Sequence, residues 1–363
     1  MLVTLFRRAA SAARTLALCG AGLLGAAAAA AAPGPAGAVQ GAQASVRELA
    51  IADYRSYLAE DHPVRQGMRR FAELVEAGSG GRLRVVLRAD ALPGTPAQQI
   101  AALQAGAPGA PALMLVAATG LAPLAPDFAL LDLPYLVQDH AQADALLDGV
   151  FGDALLAQLA QLGQARGAGL VGLAWWENGF RQITSTGAPI RSADALRGLR
   201  MRVIDAPVFV DTARAMGAEP VPLAFADVHD ALRSGRVAAQ DNFISQILAG
   251  GLHELQASLS ITNHSYGALV LVANRGAWRG LDPAHQALVA GAAREAGRFQ
   301  RDAARAQARQ AMAQLARSGM DIHELAPTER DKLRARTAPL RSSRLAQHSP
   351  ALWKLYQAHP SAR

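Results

Sequence analysis

The 363 residues carry a formal charge of +7, with 51% hydrophobic and 18% charged side chains, which is enough chain for a substantial core divided between two domains. Of the 36 basic residues, Lys332 and Lys354 are the only lysines. Together with the abundant alanine, the arginine excess reads as compositional bias and not as a nucleic-acid footprint.

The chain opens with Arg7, Arg8 and Arg14, an apolar run from about Leu16 to Ala32, and "AQA" at Ala42–Ala44. Positive end, apolar middle and small-residue exit are the order of a secretory signal peptide, so residues 1–44 are expected to be cleaved off, leaving a periplasmic protein. Removing three arginines and no acid takes the charge from +7 to +4. An uncleaved anchor is the alternative, because the run is nearly long enough to span a bilayer. The one cysteine, Cys19, lies within this segment. Leu18 stands where lipid attachment wants a small residue, so Cys19 reads as part of the leader. The mature chain then has neither disulfides nor thiol chemistry.

Strand and helix signals alternate thereafter. "RELAIADY" predicts a strand ending at Tyr54, and "HPVRQGMRRFAELVEA" a helix with Val64, Met68, Phe71 and Val75 on one face. "GGRLRVVLRADAL" predicts a turn and strand, and "TPAQQIAALQAG" a helix with Pro just inside its start and Gly at its end. "APALMLVAA" is an apolar run of the kind that buried parallel strands show. A loop and long helical region follow from about Leu130 to Gly163, then two strands, "GAGLVGLAWW" and "FRQITS".

A second alternation runs through "LRMRVI", "APVFVDTARAMGA", "EPVPL", "FADVHDALRSG" and "RVAAQDN". Residues 282–319 predict one long helix, with Arg294, Arg298, Arg301, Arg305 and Arg309 on a solvated face and Ala292, Ala296, Phe299 and Ala303 marking another. No aromatic interleaving or nucleic-acid motif accompanies the basic stripe. Two alternating runs predict an α/β fold of two lobes, with a ligand crevice between them.

Local catalytic and metal motifs are not found. "GAGLLG" at Gly20–Gly25 lies in the leader, and "GAGLVG" at Gly167–Gly172 enters a strand where a dinucleotide fingerprint would have to enter a helix. The nine histidines show no ligand-spaced pair, and there is no nucleophile elbow. No cofactor, no metal and no enzymatic activity are expected.

What stands out is an arginine opening one strand, Arg181 in "GFRQITS", and another inside the next, Arg202 in "GLRMRV". A guanidinium in a sheet is costly without a partner. With "GRVAAQDN" at 235–242, "HPVRQGMRRFAELVEAGSGGRLRVVL", "LLDLPYLVQD" and the long late helix, these segments make the chain resemble the solute-binding subunits of TRAP (tripartite ATP-independent periplasmic) transporters, the C4-dicarboxylate-binding or DctP family. The likeness covers nearly all of the mature chain.

The resemblance implies a periplasmic-binding-protein fold of two lobes with a hinge, the late helix crossing both. Residues 45–178 would form the first lobe with a return segment at about 268–307, and 179–267 the second with 308–363. It further implies a monomer that captures a small organic acid, without nucleic acid or cofactor, and delivers it to the integral membrane TRAP permease subunits. Arg202 would fork onto the ligand carboxylate, Arg181 would be the second cation, Asn242 would donate a hydrogen bond and Phe225 would wall the pocket.

Arg200 points to the same face as Arg202 in an ideal strand, so the choice between them rests on the resemblance. From the residues themselves, Trp176 is placed on the cleft and Trp175 in the core by alternation. Tyr54 is a candidate from the opposite lobe. His264 reads as a buried, hydrogen-bonded side chain. Four departures stand against the family pattern: Ala238–Ala239 replace Asp-Gly, Asp241 replaces Glu, Ile204–Asp205 replace the Pro after the "R-V" pair, and "ALPGTPAQQIAALQAG" lacks the acid after its glycine, so no contact to a ligand hydroxyl or amine is expected there. The same residues leave two other readings, a ligand-binding partner of a membrane receptor kinase and a secreted enzyme acting on an organic acid.

Overall fold

The computed structural model describes residues 46–55, 58–88, 92–165, 169–345 and 347–359; the leader, Cys19 and its cleavage site lie outside them. In chain order the strands are β1 (Arg47–Asp53), β2 (Leu83–Leu87), β3 (Leu113–Ala117), β4 (Leu170–Ser185), β5 (Arg200–Val203), β6 (Glu219–Pro222), β7 (Ala239–Phe243), β8 (Ser258–Ile261), β9 (Tyr266–Asn274) and β10 (Asp321–Glu324). The helices are α1 (Pro63–Gly78), α2 (Pro96–Ala105), α3 (Ala118–Leu121), α4 (His140–Leu147), α5 (Val150–Ala165), α6 (Pro207–Met216), α7 (Val228–Arg233), α8 (Ile244–Ala249), α9 (Arg275–Arg279), α10 (Pro283–Arg317), α11 (Pro327–Leu345) and α12 (Pro350–Ala358). A 3-10 segment at Pro126–Asp132 precedes the "PYL" turn.

Local chemistry sets the ends. Thr95 closes a capping box with Gln98, Pro96 opens α2 and Gly106 ends it in the left-handed region. Asp282 caps α10 ahead of Pro283.

The strands run in the order β2-β1-β3-β9-β4-β7-β5-β6, with β8 and β10 attached beside β4. β1, β2 and β3 are parallel, as are β5, β6 and β7. β3, expected among parallel neighbours alone, is antiparallel to β9 on its other side. The two strands expected at 167–176 and 180–185 are one strand, β4, of 16 residues. "ENG" is a bulge and not a turn: the register slips between Glu177 and Gly179, and Gly179 takes φ +96°, a conformation that costs glycine nothing. Up to Phe180 β4 pairs with β9; from Arg181 onward it pairs with β7. One strand thus belongs to both lobes of the α/β fold.

Each half of the sheet is covered on both faces. Ala52, Met114, Phe128, Trp175 and Val272 share one core cluster, and Ile51, Phe71, Leu115, Trp176 and Leu271 share another across the sheet. In the second half, Ile183, Met201, Val203 and Phe209 lie together, as do Leu223, Val237, Ile247 and Leu259. α10 is 35 residues long and contributes Val289, Ala293 and Ala296 to the first half and Ala311 and Leu315 to the second.

Trp176 is a correction to the sequence reading. Alternation was used to put one tryptophan in the core and the other on the cleft, but helices cover both faces of β4 and both residues are core. Trp176 is fully buried, its indole N–H donates to the Ala293 carbonyl at 3.2 Å, and its ring lies against Gly67 of α1 and Gly297 of α10. The solvated arginine stripe of α10 is also corrected. Arg301 is 3% exposed and pairs with Asp144 and Asp148, while Arg305 pairs with Asp144 and Glu177. Phe299 lies in solvent.

Candidate functional site

The carboxyl ends of β5, β6 and β7 and those of β1 and β3 all point toward the β4 bulge, because β4 runs parallel to β3 and antiparallel to β7. Open α/β sheets bind ligands in crevices at such carboxyl edges. Arg181 sits directly after the bulge, opposite Phe243 at the end of β7. The residue is 2% exposed. The Nε donates to the Asp241 carboxylate and Nη2 to the Asp241 main-chain oxygen at 2.6 Å. The guanidinium lies 4.9 Å from the Phe243 ring centroid and 5.2 Å from that of Phe209, arrangements in which a desolvated cation is attracted to the ring faces.

Asp241 is held from a second side by His264, whose Nε2 is 3.3 Å from Oδ2 and whose Nδ1 is 2.8 Å from the Thr262 hydroxyl. Burial alone would push the Asp241 carboxyl up; Arg181 and His264 outweigh it and hold it well below the usual carboxylate range. His264 is buried and hydrogen-bonded, as the sequence reading has it. Asp241, where the family pattern has Glu, still supplies the carboxylate.

Arg202 is 3% exposed, and its Nε and Nη2 both donate to the Leu223 carbonyl, at 2.9 and 2.7 Å. Arg200, the residue on the same face, is instead exposed and donates to Gly235 O. The register puts Arg202 beside Gln240 and Asn242 beside Gln182, whereas Arg181, Asp241 and Phe243 occupy the alternate positions. Arg202 and Asn242 therefore share one face of the sheet and Arg181 the other. β7 lies between their strands, so the two arginines are not neighbours on one face.

Asn242 accepts from the Phe243 amide at 3.0 Å, at the entry to α8. Phe225, half-buried, begins the turn just after Leu223 and lies beside Gly250. Tyr54 follows β1 on the other side of the crevice. Burial raises its phenol, and Arg55, Asp53 and Arg181 all act on it electrostatically. Arg55 is itself forked onto Asp53 at 2.8 and 2.9 Å and donates to Asn178 Oδ1. The structure thus gathers Arg181 and Tyr54 in one electrostatic cluster, puts Arg202, Phe225 and Asn242 at or just beyond the carboxyl ends of β5, β6 and β7, and leaves Trp176 out.

Further groups went unread in the sequence. Asp132, 6% exposed, accepts from the Thr119 hydroxyl. Burial pushes its carboxyl up to about 7 against the opposing pull of that hydroxyl and of Arg181. Glu177, at the bulge, accepts from the Tyr266 hydroxyl and from Arg305 Nη2, each at 2.8 Å. With His140, Phe180, Gln182 and Met312, Glu177 and Arg305 line a hollow of about 350 Å³. Burial would raise Glu177, but His140 and Arg305 bring it below its ordinary value. "LLDLPYL" and "WENGF" offer no spacing that would have marked either acid.

The model of bacterial extracellular solute-binding protein family 7, DctP, matches residues 54–347. The chain belongs to this family. It is 32% identical over 233 residues to the 2,3-diketo-L-gulonate-binding periplasmic protein YiaO of Escherichia coli, covering 64% of this chain and 68% of that one. Among solved structures it is similar to the sugar acid binding protein DctPAm of Advenella mimigardefordensis in complex with galactonate, at TM-score 0.77 and 30% identity over 88% of this chain and 99% of that one. It is also similar to a TRAP periplasmic solute binding protein of Polaromonas bound to D-erythronate, at TM-score 0.75 and 28% identity over 86% and 99%. The protein is a solute-binding protein of the TRAP type, and its two-lobed α/β fold is that of these relatives.

Proposed function

We propose that the chain captures a small organic acid in the crevice between the carboxyl edges of the two sheet halves and presents it to the membrane subunits of a TRAP permease on the periplasmic side. Arg202 grips the ligand carboxylate, because a planar fork of donors matches a planar carboxylate and a closed crevice strengthens the attraction. Arg181, Tyr54, Asn242 and Phe225 complete the wall. The supporting observation is the pair of guanidiniums, each at least 97% buried, at one sheet edge in a family of solute binders whose relatives bind sugar acids.

In this reading, residues 45–178 with a return at about 268–307 move against 179–267 with 308–363, about β4 and α10. Ligand contacts made to both lobes favour the closed form, and that form is what the permease recognises. The ligand leaves unchanged, and the binding unit is a monomer.

A thermal-shift screen of the purified chain against organic acids tests this. Ligand at 100 times its dissociation constant stabilises by about 2.7 kcal/mol. Acids that raise the melting temperature, are recovered unaltered and titrate one to one support the reading. Turnover of a bound acid, or no response to any acid, sinks it.

A further inference from the structure

We propose that the free edge of β4 at Gly172 is a docking groove for an extended segment of a protein partner, one that alternates acidic and apolar side chains and adds to the sheet as a strand. The inference goes beyond the capture of an organic acid and does not rest on it.

β4 pairs with β9 from Leu170 to Phe180, but among the described residues its other side takes a strand only from Arg181 onward. At one end of this edge α10 stands in for the missing strand. The Gln300 amide accepts from the Glu177 N–H at 2.9 Å and donates to the Glu177 carbonyl at 2.8 Å, and Arg301 donates to the Trp175 carbonyl at 3.4 Å. Farther back the edge opens into a hollow of about 290 Å³, lined along its length by residues 171–175. The Asn274 N–H bonds Ala112, ahead of β3, so the odd-numbered residues of β9 bond β4. Val171 pairs with Ala273, which leaves the N–H and carbonyl of Gly172 on the open edge. An unpaired edge of this kind accepts another strand.

The walls select the strand. On one face of the sheet stands α5, with Leu156 over Gly172; on the other stand the half-buried Trp278 of α9 and Arg294 and Arg298 of α10. Both arginines are exposed, and neither has an ion-pair partner among the described residues. Four residues apart on the helix, they stand about 6 Å apart along its axis, and side chains at alternate positions of a strand stand about 7 Å apart on one face. Carboxylates at alternate positions therefore match them, while the intervening side chains turn to Leu156 and are best apolar. Asp153, exposed on the α5 wall, disfavours a carboxylate on that side. A second copy of this chain is a poor occupant, because antiparallel pairing of two β4 edges about a two-fold axis would set the arginine pairs of both copies against each other on the same face.

The experiment is fluorescence anisotropy of the purified chain with a short, blocked, labelled peptide alternating glutamate and valine, against the same peptide with lysine for glutamate. Amide hydrogen exchange is read at Gly172 in parallel. The glutamate peptide is expected to bind at least about tenfold more tightly than the lysine peptide and to slow exchange at Gly172. The double variant Arg294→Glu with Arg298→Glu changes only exposed helix positions, so it should fold as the wild type by circular dichroism and reverse the preference between the two peptides. No binding of the glutamate peptide, or equal binding of both, overturns the proposal. Binding that leaves Gly172 exchange unchanged overturns it too, by placing the peptide on another basic surface. An unchanged preference in the double variant overturns the acidic class of partner. A Gly172 amide already protected without peptide, in a chain that sediments as a dimer, assigns the edge to a second copy and overturns the proposal as well. The peptide test uses no organic acid, so its outcome is separate from that of the acid screen.

Discussion

Arg181 and Asp241 face each other from paired strands, and the contact is double: the guanidinium reaches both the carboxylate and the main-chain oxygen of the same residue. Both residues are at most 2% exposed. The pair fixes the cation at the bulge of β4, where the two halves of the sheet join, and neutralises it before any ligand arrives.

Asp241→Asn removes the counter-ion and leaves a buried cation, so it is expected to destabilise the fold by about 3–5 kcal/mol, read as a lower urea midpoint. The pH dependence has a definite sign. A carboxyl held below its ordinary value of 3.8 contributes stability above that value and loses it as pH falls further. The gap between wild type and variant is therefore widest near neutral pH and shrinks in acid. A gap that widens on acidification would contradict the ion pair.

Much of this was legible in the sequence, and the failures have physical causes. The α1 and α2 helices announce themselves through His62-Pro63 and Thr95-Pro96 starts and regular apolar spacing, because local chemistry alone fixes those ends. Arg181 and Arg202 stood out as guanidiniums amid strand residues, and the preference for Arg202 over Arg200 came from the family resemblance. Trp176 was misplaced because alternation names the face of a strand but not what covers it. The "ENG" segment was misread because glycine marks turns and bulges alike. Asp132, Glu177 and Arg305 acquire their settings from partners 13, 128 and 161 positions away in the chain, and neither helical nor strand periodicity marks such pairs.

Trp176 as a core residue has its own test. A Cβ added at Gly67 would stand 2.5 Å from the indole, and one at Gly297 2.7 Å from the Trp175 carbonyl oxygen. Gly67→Ala and Gly297→Ala should each cost about 1–3 kcal/mol by overpacking, and Trp176→Ala about 3–5 kcal/mol by cavity formation. At ligand concentrations where all variants are folded, affinity should stay within about threefold of wild type. A Trp176 variant that keeps its stability but loses the ligand would return this residue to the crevice.

Asp132 predicts the reverse pH behaviour to Asp241. Its carboxyl is raised to about 7 from 3.8, so the fold is most stable with the proton on. That stability is full below about 4 and is lost as pH rises through about 7. Asp132→Asn keeps an acceptor for Thr119 and cannot ionise. The variant should gain melting temperature relative to wild type as pH is raised from about 5 to about 8, by an amount on the order of 3 kcal/mol at most. Parallel melting curves across that range would show that Asp132 titrates normally.

Arg202 carries the proposed grip on the ligand, and two substitutions separate its charge from its shape. Arg202→Ala removes a desolvated charge partner, a change worth about 2–5 kcal/mol, or a loss of affinity of roughly 30- to 5,000-fold. Arg202→Lys keeps the charge but loses the planar fork, and with it the simultaneous hold on a carboxylate and on the Leu223 carbonyl that positions the side chain. Its affinity should fall between wild type and Arg202→Ala. The comparison requires a folded protein, which far-ultraviolet circular dichroism and an unaltered urea slope would establish for each variant. Calorimetry giving wild-type affinity for Arg202→Ala would remove this residue from the ligand contact and shift the role to Arg181. Equal loss in the lysine and alanine variants would show that geometry, more than charge, decides the binding.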